Sequence, residues 1–385
     1  MKIIHYCQYI WGVGHFFRTL EICRALAGHE VILVAGGPEV DVDLPDHVQP
    51  FRLPGLMTDR NYDGLFPTDA GRTLEAVRRE RKQRLYDLFE QQRPDALIIE
   101  LYPFGRKAFR FELDPVLDGI RSGRLHRTRV FCSLRDILVE KSDPIAYEAR
   151  VVKTLNRYFD AVLIHADPSV VAIDQTFSRI RDLKVPIVYT GYIAARPPTG
   201  AGRALRKQLG IEASDRLVVA SAGSGKAGIV LLEPLLEAAA HLEADRRLHL
   251  QMFTGPFMPE EEFQSLASRS NQRVTVRRFT ARFLSHLTAA DLSVSMGGYN
   301  TTMNILATGV PALIWPYPGD REQGLRAAAM AQLGAAGVIR AQDLHPKPLA
   351  ELMRKKMIAP GQHRRQIDLD GAHNTARWID SAVAG

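Results

Sequence analysis

Short apolar runs alternate with longer amphipathic stretches along most of this chain. Ile3–Cys7, Glu30–Ala35, Ala96–Glu100, Arg129–Ser133, Ala161–His165 and Pro186–Tyr189 read as strands. His15–Ala27, Thr68–Gln92 and Pro144–Tyr158 read as helices between them. Near-continuous apolar strands separated by helices predict a parallel sheet covered on both faces. The rhythm breaks at Ala194-Ala195-Arg196-Pro197-Pro198-Thr199-Gly200-Ala201-Gly202, whose prolines and glycines suit an exposed connection. It restarts with strands at Leu217–Ser221, Leu248–Phe253, Val274–Arg277, Leu292–Ser295 and Ala312–Trp315. The pattern therefore predicts two successive α/β units, followed by a last helix over roughly Gly371–Ala382.

Length and composition agree with this division. A chain of 385 residues is too long for one comfortable core, and 46% hydrophobic with 24% charged residues is ordinary for a globular protein. The net charge of +7 favours an anionic ligand, an anionic membrane face or nucleic acid without choosing among them. Cys7, Cys23 and Cys132 have neither zinc-site nor disulfide spacing and read as buried thiols in a reducing compartment. No run approaches the about 18 apolar residues of a membrane span, and the N-terminus lacks the pattern of a signal peptide. The expected location is cytoplasmic.

Four segments carry candidate chemistry. Trp11-Gly12-Val13-Gly14-His15-Phe16-Phe17-Arg18 follows the first strand, where two glycines let the backbone approach a ligand and a helix presents its amides. A dinucleotide fingerprint wants a third glycine where Phe17 stands, which weakens an oxidoreductase reading. His15 is a candidate general base, or alternatively a capping or packing residue. Ser221-Ala222-Gly223-Ser224-Gly225-Lys226-Ala227-Gly228 resembles a phosphate cradle, or a simple tight turn. It fails as a Walker loop, because Ala220 replaces the first glycine and Ala227 the metal-binding hydroxyl.

The third segment, Ser295-Met296-Gly297-Gly298-Tyr299-Asn300-Thr301, joins a strand to a helix over Tyr299–Thr308. Glycines, amides and hydroxyls converge there at the positive end of the helix, as a diphosphate requires. The fourth is Pro316-Tyr317-Pro318-Gly319-Asp320-Arg321-Glu322-Gln323, which leads into a helix starting near Glu322. Its carboxylate and carboxamide can hydrogen-bond sugar hydroxyls, or Glu322 can simply favour a helix start.

Taken together, these segments resemble glycosyltransferases with two Rossmann-like domains (the GT-B type). More narrowly, they resemble bacterial family 28-like predicted glycosyltransferases related to the peptidoglycan-precursor N-acetylglucosaminyltransferase. Further matching pieces are Ser133-Leu134-Arg135-Asp136, His165-Ala166-Asp167-Pro168, Tyr189-Thr190-Gly191-Tyr192 and Thr254-Gly255-Pro256. The resemblance implies an α/β fold in which two Rossmann-like domains face a cleft. Residues 1–195 would bind acceptor, residues 203–368 the nucleotide sugar, and the helix in 369–385 would cross back to the first domain.

By the same resemblance, Gly223, Ser224, Gly225 and Lys226 would line one side of the donor. Met296, Gly297, Gly298, Asn300 and Thr301 would face its diphosphate, and Glu322 and Gln323 its sugar. Asn304 stands where related enzymes carry a ribose-gripping glutamate, and its uncharged contact should be weaker. Gly12, Gly14, Arg18, Arg135 and Asp136 would lie on the acceptor side, with His15 as base. Glu100, at the carboxyl end of a strand, would orient His15 or bind acceptor, or else is a solvated strand end.

The implied activity is inverting, metal-independent transfer from a nucleoside diphosphate sugar, a UDP-sugar above others, to a small-molecule or lipid-linked acceptor, with no cofactor. A nucleotide-sugar epimerase or hydrolase, and a non-catalytic nucleotide-sugar binder, are the alternatives. The acceptor, with Phe51–Phe66 and Pro103–Phe111 as candidate loops, and the oligomeric state are left open by the sequence. The run Arg78-Arg79-Glu80-Arg81-Lys82-Gln83-Arg84 reads as a solvated helix face, or with Arg106, Lys107 and Arg110 as a contact for an anionic membrane or acceptor. Such contact would place the protein peripherally at the inner membrane face. Nucleic acid is not an expected partner, because no basic stripe with interleaved aromatics is present.

Overall fold

The computed structural model describes residues 1–9, 14–37, 39–40, 42–58, 64–139, 141–225, 227–242, 247–358 and 367–384. They form two compact units, Met1–Ile193 with Asp368–Gly385, and Ala194–Ile367.

The first unit begins β1 (Lys2–Cys7), α1 (Gly14–Ala25), β2 (Glu30–Ala35), β3 (Val48–Arg52), β4 (Leu56–Thr58) and β5 (Leu65–Pro67). It continues α2 (Leu74–Gln92), β6 (Ala96–Glu100), α3 (Arg110–Arg121), β7 (Arg129–Arg135), α4 (Pro144–Tyr158), β8 (Ala161–His165) and β9 (Ile187–Tyr189). Seven strands make a parallel sheet in the order β3-β2-β1-β6-β7-β8-β9. Every residue of β6 and β8 is buried, which explains their near-continuous apolar sequences.

The second unit holds α5 (Ala201–Gln208), β10 (Arg216–Ser221), α6 (Ile229–Leu242), β11 (Leu248–Phe253), α7 (Glu260–Ala267) and β12 (Val274–Arg277). There follow α8 (Phe283–Ala289), β13 (Leu292–Met296), α9 (Tyr299–Thr308), β14 (Ala312–Trp315), α10 (Arg321–Gln332), β15 (Gly337–Val338) and α11 (Pro346–Ile358). Its six strands are parallel in the order β12-β11-β10-β13-β14-β15.

Both sheets start in the middle. β1 leads outward through β2 to β3, and the chain then returns to place β6 on the other side of β1. β10 leads through β11 to β12, and β13 returns beside β10. Each return leaves a crevice beyond the carboxyl ends of the central strands, where open α/β sheets bind ligands.

The closing helix α12 (Gly371–Ala384) packs on the first unit. Its Ala376 and Ile379 join the core of β1 and α1, and Trp378 meets Phe131 edge-on at 5.4 Å. Cys7, Cys23 and Cys132 are free and buried.

Some local features depart from the pattern. β3 contains Pro50, which is compatible with its position at the sheet edge. β4 and β5 pair as a small antiparallel hairpin within the stretch read as a loop. α2 starts at Leu74 rather than Thr68, with the Thr73 hydroxyl accepting from Ala76 N at 3.2 Å. In the connection, Gly200 has φ +75° and Ala201 already begins α5.

The basic run of α2 is not a uniformly solvated face. Val77, Arg81, Leu85 and Leu88 share one side at helical spacing and are all buried, Arg81 with 0% exposure. Arg81 forks onto Glu112 at 2.7 and 2.6 Å and donates to Gln8 Oε1 and Pro54 O, each at 2.7 Å. Tyr6 donates to the same carboxylate. A buried charge survives only when paired in this way, so the arginine belongs to the core.

Candidate functional site

In the first unit, β1 and β6 carry the polar groups to the carboxyl end of the sheet. Trp11, Gly12 and Val13 lie outside the described residues. Gly14 opens α1, so His15 occupies its first turn. Glu100 is the last residue of β6 and is fully buried. His15 Nδ1 lies 2.8 Å from Glu100 Oε1, and Arg18, one helical turn further, donates to the same oxygen. Ser133 on β7 donates to Glu100 Oε2 at 2.6 Å.

Burial alone would raise the Glu100 carboxyl, but Arg18, His15 and Ser133 hold it well below the usual carboxylate range. His15 is lowered to about 3, first by burial and then by Arg106 and Arg18, against the pull of Glu100. It is therefore neutral at pH 7. A carboxylate oxygen only accepts, so Nδ1 carries the proton and Nε2 keeps a lone pair. The His15 side chain retains 14% exposure. This is the arrangement of a base oriented by a buried carboxylate.

Arg135 ends β7 half-buried, and Asp136 beside it is buried with Oδ1 accepting from Ile137 N at 2.9 Å. Arg106 donates to Gln8 O at 2.6 Å. Arg106 is lowered first by burial, and Arg135 acts in the same direction.

In the second unit, two glycine loops leave the carboxyl ends of the adjacent strands β10 and β13, where Ser221 pairs with Ser295. In the first loop Gly225 has φ +100°, and a Cβ there would meet Thr254 O at 2.6 Å. The Gly223–Gly225 loop thus packs backbone to backbone on Thr254-Gly255. Ser224 is exposed, and Lys226 lies outside the described residues.

In the second loop Gly297 is enclosed, its amide donating to Gln323 Oε1 at 3.1 Å and its carbonyl accepting from Arg326 at 2.9 Å. Gly298 caps α9 with ordinary extended backbone, φ −65° and ψ 148°. A Cβ at Gly298 would meet nothing within 4 Å. Neither conformation nor crowding among the described residues calls for glycine there, and a closely approaching ligand would. Along α9, Thr302 and Met303 are buried while Asn300, Thr301 and Asn304 are half-exposed. Asn304 lies one turn below Asn300, so the two share a face.

The next loop supports this turn. Asp320 caps α10, accepting from Gln323 N at 3.3 Å and Gln323 Nε2 at 3.0 Å. Gln323 Oε1 also accepts from Tyr317 N at 3.3 Å. Glu322, 8% exposed, pairs with Arg326 at 2.7 Å, and the Arg326 guanidinium lies over Tyr299 at 5.5 Å.

Residues 218–367 match the model of the glycosyltransferase family 28 C-terminal domain. Most of the second unit is therefore similar to that family's C-terminal domain. Similar curated proteins include the UDP-N-acetylglucosamine–N-acetylmuramyl-(pentapeptide) pyrophosphoryl-undecaprenol N-acetylglucosamine transferases of Agrobacterium fabrum and Brucella suis. The first is 28% identical over 140 residues, 35% of this chain and 37% of that protein. The second is 28% identical over 205 residues, 50% of this chain and 51% of that protein. The chain thus matches less than two thirds of the length of these relatives.

Among solved structures, a calicheamicin glycosyltransferase superposes with a TM-score of 0.61 at 17% identity, covering 99% of this chain and 97% of that one. MurG of Acinetobacter baumannii gives 0.54 at 17% identity, covering 100% and 99%. The fold is the GT-B fold of two Rossmann-like domains.

The second unit brings Gly223, Ser224, Gly225, Met296, Gly297, Gly298, Asn300, Thr301 and Asn304 to one end of one sheet. Glu322 and Gln323 reach the same place but are engaged with Arg326 and with the loops. Sequence reasoning did not single out Arg326; its signal was the Glu322–Arg326 spacing of one helical turn. In the first unit it assigned no role to Ser133 and His165, although both stand in quoted motifs. Among the described residues, no group of three or more His, Cys, Asp or Glu side chains is placed to hold a metal ion. No helix among them is long and apolar enough to cross a membrane.

Proposed function

We propose that this protein is a glycosyltransferase that moves a sugar from a nucleoside diphosphate sugar, a UDP-sugar above others, to a hydroxyl of a lipid-linked or small-molecule acceptor. The observation that carries the reading is the open glycine at the start of α9. Gly298 leaves space at the positive end of the helix, just beyond the strand next to the one that carries the Gly223–Gly225 loop and at the strand-order reversal. Amides and a helix end supply the charge stabilisation that a departing diphosphate needs, so transfer proceeds without a bound metal or other cofactor. Gly223, Ser224, Gly225 and Lys226 line the donor, Asn300 and Thr301 meet the diphosphate, and Asn304 meets the ribose. Met296 lines the diphosphate end, and Glu322 and Gln323 face the sugar.

On the acceptor side, His15 takes the proton of the attacking hydroxyl at Nε2, and Glu100 stabilises the imidazolium that forms. Direct attack by that hydroxyl inverts the anomeric centre. Arg106, whose charge acts on His15, and Arg135, whose charge acts on Arg106, favour an acceptor bearing phosphate, and the curated relatives are named for a pyrophosphoryl-undecaprenol acceptor. Such an acceptor places the protein in the cytoplasm, peripherally at the inner membrane face.

A thermal-shift screen against UDP-, GDP-, ADP- and dTDP-sugars tests the reading. UDP-sugars are expected to raise the melting temperature most. Stabilisation by none of them contradicts it, and rapid conversion of donor alone points to an epimerase or hydrolase. Asn304 favours one further reading, a binder that holds the donor without turnover, which tight binding without transfer across an acceptor panel would support.

A further inference from the structure

Glu100 sits at one end of a line of buried side chains that crosses the sheet. Ser133 Oγ lies 2.6 Å from Glu100 Oε2 and 2.9 Å from His165 Nε2, and His165 Nδ1 lies 2.9 Å from Thr190 Oγ1. Ser133, His165 and Thr190 are all at least 97% buried. The direction of each bond follows from the carboxylate, which can only accept. Ser133 therefore spends its single proton on Glu100, and its oxygen accepts from His165 Nε2–H. The neutral His165 ring then has its lone pair at Nδ1, which takes the Thr190 hydroxyl. Burial, with Arg18 and His5 nearby, lowers His165 to about 3, so the ring stays neutral.

We propose that Ser133 and His165 are positioning residues that fix Glu100, and through it hold His15 with Nδ1 protonated and Nε2 ready to accept a proton. The proposal rests on His15 acting as the base. Without Ser133, Glu100 keeps Arg18 but loses the bond that fixes its second oxygen. The carboxylate can then rotate toward Arg18 alone, and Arg18, 3.0 Å from His15 Nδ1, competes for that nitrogen as a donor. Competition of this kind favours the wrong tautomer, with the proton on Nε2.

Ring nitrogen spectra of the full chain, labelled with ¹⁵N-histidine, test the wiring without any substrate. At pH 7 the wild type should show His15 as the Nδ1–H form and His165 as the Nε2–H form. Ser133→Ala should leave both rings averaging between tautomers, and Ser133→Thr should restore the wild-type pattern. A wild-type His165 carrying its proton on Nδ1, or a Ser133→Ala spectrum equal to wild type, overturns the proposal.

UDP release from UDP-N-acetylglucosamine with N-acetylmuramyl-(pentapeptide) pyrophosphoryl-undecaprenol as acceptor, less the release from donor alone, supplies the second arm. Ser133→Ala and His165→Phe should lower kcat about tenfold at unchanged KM, with Ser133→Thr and His165→Gln recovering most of it. Wild-type kcat in a folded Ser133→Ala overturns the positioning role but leaves the base assignment to be decided by His15→Ala. If the wild type itself releases no UDP, the functional reading fails for this donor and acceptor, and the ring spectra alone decide the wiring.

Discussion

His15 Nδ1 and Glu100 Oε1 lie 2.8 Å apart although the residues are separated by 85 positions in the chain. The contact exists because β1 and β6 are adjacent in the sheet, which brings the first turn of α1 over the carboxyl end of β6. Removing the ring by His15→Ala should abolish transfer, a loss of about 10²–10⁴-fold for a general base, while donor affinity stays near normal. Glu100→Gln should lower kcat without removing donor binding. Transfer rates paired with donor titrations check both, and unchanged turnover in His15→Ala removes the base assignment.

The buried histidines set a pH dependence of stability. His5 and His286 are lowered to about 4, and His15 and His165 to about 3, in each case chiefly by burial. Unfolding returns them to their ordinary value of 6.5, so below that pH the unfolded chain binds more protons than the folded one. Their contribution is complete above pH 6.5 and is lost as pH falls toward 4 and then 3. Glu100, held low, adds a further loss below its own ordinary value of 4.5. Urea midpoints should therefore drop between pH 7.5 and 5. A flat profile over that range contradicts the assignment of neutral buried rings.

Arg326 ties the Gly297 carbonyl to the buried Glu322. Arg326→Met leaves Glu322 buried without this partner, a loss of about 3–5 kcal/mol. Replacing Glu322 by Met as well should recover much of that stability. Affinity for UDP should remain about tenfold weaker in the double variant, because the Gly297 turn has lost its support. Wild-type affinity in the folded double variant shows that Arg326 serves the core alone.

Asn304 lies one turn below Asn300 on the half-exposed face of α9. If that face meets the ribose, Asn304→Glu supplies a charge-assisted bond, and such bonds are roughly twice as strong as neutral ones. UDP affinity measured by calorimetry should rise several-fold. Unchanged or weaker binding places the ribose elsewhere.

Most of the sheet was legible because strands buried on both faces have almost no polar interruption. Glu30–Ala35, Ala96–Glu100, Ala161–His165 and Leu248–Phe253 occur where the pattern puts them. β3 was not legible, because its edge position tolerates Pro50 and exposed residues that break the apolar run. Arg81 was misread because charge along a sequence says nothing about a partner such as Glu112 on another helix. The glycine turn before α9 could be read locally, since a strand, two glycines and a helix start lie within one short string. The His165–Ser133–Glu100 line could not, because three strands supply it and only their order in the sheet makes them neighbours.

Gly298 offers the most direct test of donor binding. A Cβ there meets nothing within 4 Å among the described residues, so Gly298→Val should fold, losing at most about 1 kcal/mol of helix-cap preference, while filling the space at the helix start. Calorimetric titration of UDP should give saturable binding to the wild type and at least about tenfold weaker binding to Gly298→Val, the signature of a ligand excluded by a side chain. Equal affinities, or no binding by the wild type, would contradict a nucleoside diphosphate site at the start of α9.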